Sequence, residues 1–428
     1  MVATLTSPSL LIFHEDREVA ELSYHLDTET FHLVYSADWV KKGFPLSPHL
    51  PLFGEIPPEN TKKFLENLLP EGDVLKTLAR TLKITSSNIY ALIASVGRDA
   101  TGAFSFVQQG QKVETSFRPI PADELKTRIQ ERATKPIVLW DGKPRLSLAG
   151  VQEKLAVTLR DGVYGFGEGR LASTHILKFS RKDQYLVLNE FFCMKLAEKV
   201  GLPVAPVEMV NLGERVLQVE RFDRLWQDPE HIKRLHTIDG CQALNAPPDF
   251  KYQRIVPVGA DRDLYLGPIN VENLSSFSRS CLVPAKAQMQ LLQWILFNLL
   301  IGNTDNHGKN ISYFVSERGY ELAPCYDLVN VTVYEDYHQE LAFRVGETFI
   351  LEEVKAVQLS EMAEEMNLSS RFVAGQLEKL CLEVLKHTAG ISGDDLSVEE
   401  TKFLQKLREN IEARTKSFLE QSALLAKS

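Results

Sequence analysis

The spacing of apolar residues changes period twice in the first hundred positions. From Leu10 to Ser36, "LLIFHEDREVAELSYHLDTETFHLVYS" alternates apolar and polar, with turn chemistry at His14–Arg17 and Asp27–Glu29, and predicts short strands. "PLSPHLPLFG" is proline-rich and extended. "TKKFLENLLPEGDVLKTLARTLKI" then carries apolar residues at helical spacing on both sides of a Pro70-Glu71-Gly72 break. "SVGRDATGAFSFV" returns to a strand, closing a small α+β unit near residue 108.

The charged span Gln109–Pro136 reads as a connector with a short helix at Ala122–Ala133. Strands follow in "LSLAGVQEKLAVTLRDGVYGF", with a turn at Arg160-Asp161-Gly162, and in "THILKFS". An amphipathic helix is predicted over Val187–Val200, stopped by Gly201. "APVEMVNLGERVLQVERFDR" is a strand–turn–strand pair, and beyond residue 224 the pattern is mostly helical, with strands only around Ile311–Phe314 and Glu321–Pro324. Strand-rich then helix-rich order predicts an α+β, two-lobed protein with units over 1–108, 109–222 and 223–428.

At 428 residues the chain is too long for one hydrophobic core, in keeping with that division. A hydrophobic fraction of 44% and a charged fraction of 25% are those of an ordinary globular protein. The net charge of -9 argues against a free-standing nucleic-acid binder. Cys193, Cys241, Cys281, Cys325 and Cys381 are scattered without a CxxC pair, which fits reduced thiols in a cytoplasmic chain. The N-terminus lacks a basic stretch before its apolar run, so no secretory signal is expected. The longest apolar run, Leu291–Ile301, is far short of the ~20 residues that span a bilayer.

The densest polar cluster follows that run: "IGNTDNHGKN" at Ile301–Asn310. Taken alone, Asp305-Asn306 and Gly308 read as a turn. Asp305 and Asn310, however, have the D-x-x-x-x-N spacing by which phosphoryl transfer places a carboxylate near the acceptor hydroxyl and an amide on a metal ion. Asp327 in "YELAPCYDLVN" stands where a second metal-binding Asp follows, and Mg²⁺ takes few protein oxygens beside water and phosphate. Lys178, ending the strand "HILKFS", is the cation for nucleotide phosphates, with Glu190 on the next helix as its partner. "SLAGVQEK" at Ser147–Lys154 matches neither GxGxxG nor Walker A, yet its backbone could form an anion nest.

Together these residues resemble the HipA family, the kinase toxins of bacterial HipBA toxin–antitoxin modules. The likeness covers nearly the whole chain: "ELSYHLDTETFHLVYSADWV" and "VGRDATGAFSF" in the first unit, then "LSLAGVQEKLAV", "HILKFS", "QVERFDR", "CQAL", "KY", "FNLLIGNTDNHGKNIS" and "LAPCYDLV". It implies a fold distantly similar to protein kinases and a serine/threonine kinase activity using ATP and Mg²⁺. Asp305 would be catalytic, and Asn310 and Asp327 would hold the metal. His307, Gly308, Lys309, Asn310 and Tyr326 would line the nucleotide site, Lys178 would bind phosphates, and the loop Ala149, Gly150, Val151, Gln152, Glu153, Lys154 would cover them. Glu220, Arg221 and Phe222 would form the adenine hinge. Ser147 resembles the serine these kinases autophosphorylate to silence themselves; a phosphate there adds about two negative charges beside a loop that must cradle another polyanion.

The resemblance further implies a helix-turn-helix antitoxin of the HipB type as partner, DNA contact mainly through that antitoxin, and an aminoacyl-tRNA synthetase as substrate. Two departures stand out. "LHTIDGCQ" has Ile238 where the family often has Glu, and "QRIVPVGADRDLYLGPINVENL" replaces an acidic, glycine-rich stretch after "KY". The alternative is an idle pseudokinase acting as corepressor with its antitoxin, against which the intact Lys178, Asp305, Asn310 and Asp327 speak.

Overall fold

The structure, a computed structural model, describes residues 8–111, 114–145, 153–180, 184–254, 266–337, 339–393 and 395–427. The chain forms two compact units. One takes Met1–Phe179, Val210–Ile238 and Phe314–Gly319; the other takes Ser180–Met209, Asp239–Tyr313 and Tyr320–Ser428.

The first unit begins with an antiparallel sheet ordered Thr30–Tyr35, Arg17–His25, Ser9–His14, Phe104–Gln108. The period-2 pattern works as expected: Leu10 faces Leu22 and Ile12 faces Ala20 across the ladder, and all four are fully buried. "SVGRDATGAFSFV" is not one strand. A helix Ile89–Val96 and a 3-10 turn Gly97–Asp99 precede the strand Phe104–Gln108. The run "IYALIASV" is short and apolar, the case in which periodicity cannot separate helix from strand. Asn88 decides for helix, because its side chain accepts from the Ala91 N–H at 3.0 Å.

A six-stranded sheet follows. Five of its strands, in the order Arg215–Glu220, His175–Phe179, Lys154–Arg160, Val163–Glu168, Ser116–Pro119, belong wholly to this unit. Leu155, Val157, Leu177, Phe179 and Val216 pack with Trp140 and the helix Ala122–Gln130 in one apolar cluster. Alternation places Ala156 and Lys178 in the opposite phase, so Lys178 leaves the face that this cluster covers.

A largely buried network of ionic and hydrogen-bonding groups ties this unit together. Asp223 accepts both oxygens' worth of bonds from Arg221, at 2.9 and 2.8 Å, another from Arg224 at 2.7 Å, and the Gly102 N–H at 3.0 Å. Arg224 also donates to the Gly102 and Ala100 carbonyls and to Asp99, and Asp99 accepts the Ser173 N–H. Burial alone would raise the Asp223 carboxyl; Arg221 and then Arg224 outweigh it and hold the group below the ordinary carboxylate range. Nearby, His236 is fully enclosed. Burial pushes its pKa down to about 3, and the neutral ring donates from Nε2 to the Leu46 carbonyl at 2.7 Å while Nδ1 accepts the Ala103 N–H at 3.5 Å. A Cβ on Gly102 would meet that Nδ1 at 2.7 Å, so only glycine fits there.

The second unit is built on helices Leu186–Lys199, Val271–Arg279, Pro284–Ile301, Ala356–Glu365, Ser370–Thr388 and Val398–Leu425. The first lies one residue from its expected span, and Gly201 follows it at φ +87° as a left-handed stop. Pro284 opens the buried helix and Gly302, at φ +70°, closes it. Strands beyond residue 224 are more numerous than expected. Hairpins Arg224–Asp228/His231–Arg234 and Glu340–Val345/Thr348–Ile350 were hidden because three of these strands bury only one or two side chains and Glu340–Val345 buries three in a row, so neither leaves an alternation to read. All five cysteines are buried free thiols. Among the described residues no helix is long and apolar enough to cross a membrane.

The buried network gives the first expected outcome. Asp223→Asn leaves two guanidiniums facing each other without their carboxylate and should cost about 3–5 kcal/mol, read as a drop in the urea unfolding midpoint. Because the folded carboxyl titrates below its ordinary 3.8, its contribution is complete above about pH 4 and is lost as the pH falls further. The variant should therefore lose stability less steeply than the parent below pH 4.

Candidate functional site

The Asp305 loop is set by the helix before it. Within the apolar helix Pro284–Ile301, Asn298 is buried and donates to the Trp294 carbonyl at 2.7 Å. Its Oδ1 accepts from Asn303 Nδ2 at 2.7 Å, and Asn303 Oδ1 accepts the Asp305 N–H at 3.1 Å. A buried amide pair thus carries the position of the helix to the backbone of Asp305. From there the loop closes on itself: the His307 N–H and Asn310 Nδ2 both donate to the Asp305 carbonyl, at 2.8 and 2.9 Å. The Gly308 N–H donates to the Lys251 carbonyl at 2.9 Å.

This arrangement buries Asn303, Thr304, Asn306, His307, Lys309 and Asn310 and leaves Asp305 exposed. Tyr252 Oη donates to Asp305 Oδ1 at 2.5 Å, and its ring stands edge-on to His307 with centroids 5.1 Å apart. Burial, then Lys251 and Lys309, push the His307 pKa down to about 3, so the ring is neutral near pH 7. His307 Nδ1 and Asn306 Oδ1 are buried without a hydrogen-bond partner. Such orphaned atoms are costly in a finished core and are expected where a ligand completes the bonding.

Lys309 does not reach into open space. Its Nζ pairs with Asp239 at 3.0 Å, and Asp239 also caps the short helix Gly240–Ala243 through the Gln242 N–H at 2.8 Å. Tyr326 Oη donates to the Lys309 carbonyl at 2.7 Å and accepts from Ser312 Oγ at 2.7 Å, while burial drives its own pKa far up. Asp327, the next residue, has φ +57°, a left-handed conformation uncommon outside glycine. It is held by its neighbours: the Cys325 N–H donates to Pro203 and the Cys325 carbonyl accepts from Ala205, while Leu328 is buried. Asn310 and Asp327 carry hard oxygen donors of the kind a divalent cation takes, and Asn310 commits its Nδ2 to the Asp305 carbonyl.

Other expected site residues lie in the first unit. Lys178 pairs across the sheet with Lys154 and Leu217 and is only 7% exposed. The Glu153 side chain is 3.5 Å from Arg132, and its carbonyl accepts the Phe179 N–H. Glu220 is paired with His175, the Arg221 N–H donates to the Thr174 carbonyl, and Phe222 packs edge-on against Phe314. The Arg221 side chain belongs to the Asp223 network. Glu190 is buried on the helix Leu186–Lys199 of the second unit. Ser147, Ala149, Gly150, Val151 and Gln152 lie outside the described residues.

Sequence reasoning missed the positioning roles of Asn298, Asn303, Tyr252 and Asp239. An Asn inside "LLQWILFNLLI" was a usable signal, since a buried amide needs partners. Tyr252 and Asp239 are far from Asp305 and Lys309 in sequence and gave none.

Comparison with known proteins places the chain in a family. A family model described as the HipA N-terminal domain matches residues 10–107, and one described as the HipA-like C-terminal domain matches residues 146–388. The serine/threonine-protein kinase toxin HipA of Shewanella oneidensis is 38% identical over 410 residues, 94% of each chain. A putative kinase of Sinorhizobium fredii, Y4mE, is 31% identical over 382 residues, 86% of this chain and 89% of that one. Among solved structures, the HipA, HipB and operator DNA complex of Shewanella oneidensis holds a chain that superimposes with a TM-score of 0.89 at 37% identity, over 98% of this chain and 99% of that one. The α+β, two-lobed, kinase-like fold expected from the sequence is therefore this chain's fold.

The loop's tight seating can be tested directly. A Cβ on Gly240 would stand 2.6 Å from the Gly308 carbonyl oxygen, a backbone atom that cannot step aside. Gly240→Ala should lower stability by about 1–3 kcal/mol, seen as a lower thermal midpoint. Gly375→Ala, with nothing within 4 Å of its added Cβ, should not.

Proposed function

The chain belongs to the HipA family of serine/threonine kinases, and from that premise we propose that it is the toxin of a two-component module. In this reading it transfers phosphate from ATP, with Mg²⁺, to a serine or threonine of a protein substrate. The observation that carries the reading is Asp305. It is the exposed member of an otherwise buried polar loop, and its carboxylate already accepts a hydroxyl hydrogen at 2.5 Å, from Tyr252. A substrate Ser or Thr hydroxyl needs the same acceptor, and a fixed carboxylate both orients that hydroxyl and takes its proton.

The chain's other residues supply binding and charge. Asn310 and Asp327 would hold Mg²⁺ through oxygen, and Lys178 would meet the phosphates. Neutral His307, with Nδ1 unsatisfied, and Asn306 Oδ1 supply polar partners for the nucleotide without adding charge. Glu220, Arg221 and Phe222 would present backbone groups to adenine, and Ala149–Lys154 would cover the phosphates. Bound ATP–Mg²⁺ supplies the transferable phosphoryl group and neutralises the charge that develops on it.

The relatives support the biological setting. The structural relative is a toxin–antitoxin system with HipB and operator DNA. By that likeness this chain has a helix-turn-helix antitoxin of the HipB type and meets DNA mainly through it, as suits a chain of net charge -9. Its site of action is the cytoplasm, its substrate an aminoacyl-tRNA synthetase whose modification halts translation, and Ser147 its own inactivating phosphorylation site.

Incubation with labelled ATP and Mg²⁺ tests the reading. The parent chain should label itself and a synthetase, and Asp305→Ala should lower transfer by about 10²–10⁴-fold while keeping its thermal midpoint. A parent that transfers nothing in the presence of every synthetase sinks the kinase reading in favour of a non-catalytic corepressor. Ser147→Ala should remove the main self-phosphorylated peptide in mass spectra and leave growth arrest stronger. A dominant phosphosite elsewhere would refute that assignment.

A further inference from the structure

A cavity of about 620 Å³ lies wholly within the first unit, apart from the Asp305 loop, between the four-stranded sheet and the strands Lys154–Arg160 and Val163–Glu168. Its size is that of a small-molecule site. Five Lys/Arg and four Asp/Glu side chains line it, in a chain whose net charge is -9.

The excess of cations matters because most of the acids are already taken. Asp16 pairs with Arg170, Glu168 with Arg145 and Lys143, and Asp99 with Arg224, while Glu15 stands 3.6 Å from the His231 ring, an ion pair only when that ring is protonated. Two lining guanidiniums have no carboxylate within ion-pair distance among the described residues. Arg234 is 6% exposed and gives its hydrogens to the neutral Arg98 carbonyl, Ser105 Oγ and the Gly169 carbonyl. Arg98 bonds only the Gln111 amide oxygen, at 2.6 Å. A third, Arg145, has its Nε buried with no acceptor at all. A buried guanidinium hydrogen without an acceptor is costly, and the planar guanidinium fork suits phosphate or carboxylate. Phe13, Val107, Phe166 and Ile232 add apolar surface to the lining, with the Arg145 guanidinium stacked 4.6 Å from the Phe166 ring centroid.

We propose that this cavity is a second ligand site, taking a small organic anion with a phosphate or carboxylate head among Arg98, Arg145 and Arg234 and an apolar body against Phe13 and Phe166. The assignment does not rest on phosphoryl transfer at Asp305. Its charged end lies beside Asp99, so an occupant sits one ion pair from Arg224 and the Asp223 network.

Phenyl phosphate is a suitable probe, with inorganic phosphate and phenol as its two halves. Titration calorimetry is run on the full chain, with Mg²⁺ and a non-hydrolysable ATP analogue saturating the nucleotide site. Phenyl phosphate should bind once per chain and more tightly than either half. Arg98→Met, which breaks only the Gln111 bond, should weaken it about tenfold, the size of a lost charge-assisted hydrogen bond. Ser95→Trp, at an exposed lining position whose hydroxyl bonds only its own helix at Ala91, should block it sterically. Unchanged thermal midpoints in both variants show that the fold is intact. No saturable binding, binding untouched by both substitutions, or phenol binding as tightly as phenyl phosphate would each overturn the proposal.

Discussion

The first unit depends on one buried carboxylate. Asp223 lies between Arg221 and Arg224 and accepts the Gly102 N–H, so a single charge joins the end of the strand Arg215–Glu220 to the segment Asp99–Gly102 of the other sheet. The attraction is not itself a large net gain, because three ions have been taken out of water. Its importance is geometric. Once desolvated, none of the three tolerates a wrong neighbour, and the carbonyls of Ala100 and Gly102 are drawn in to finish their bonding. Phe222 sits inside this "ERFDR" turn, so the backbone expected to be the adenine hinge is held by side chains engaged in the ion network.

The second unit solves a similar problem without charge. Asn298 and Asn303 pass position from a buried helix to the Asp305 backbone by neutral amide bonds, and Asn310 closes the loop on the Asp305 carbonyl. A neutral relay leaves the Asp305 carboxylate as the local charge turned to solvent, and neutral His307 keeps the surroundings from adding another. Buried ions in one unit secure the scaffold; buried amides in the other hold an exposed carboxylate in place. The cavity of the first unit joins the two themes, since its free guanidiniums lie beside the same Asp99 that completes the ion network.

The departures from the family also find physical places. "HTID" divides its work: His236 ties into the first unit as a neutral ring bonded to Leu46, and Asp239 caps a helix and pairs Lys309 in the second. Ile238, in the position where Glu is common, is fully buried. An ionised Glu there would need a partner of its own, so the Ile is a self-consistent choice for this interior.

Much was legible in the sequence because local physics fixes it. The two periods of apolar residues pointed to the sheets and long helices, Gly201 marked a helix end, and the D-x-x-x-x-N spacing placed Asp305 and Asn310 in one loop. The helix Ile89–Val96 was left unread because a short, mostly apolar run carries no decisive period, and the late hairpins because their strands show no regular alternation of buried and exposed positions. Tertiary structure alone decided the rest. It brought Tyr252 to Asp305 and Asp239 to Lys309 across 53 and 70 positions, turned the Arg221 side chain into an ion network, and set Asp327 in a left-handed backbone. A contact between distant residues is chosen by the packing of whole elements, and periodicity within one element holds no record of it.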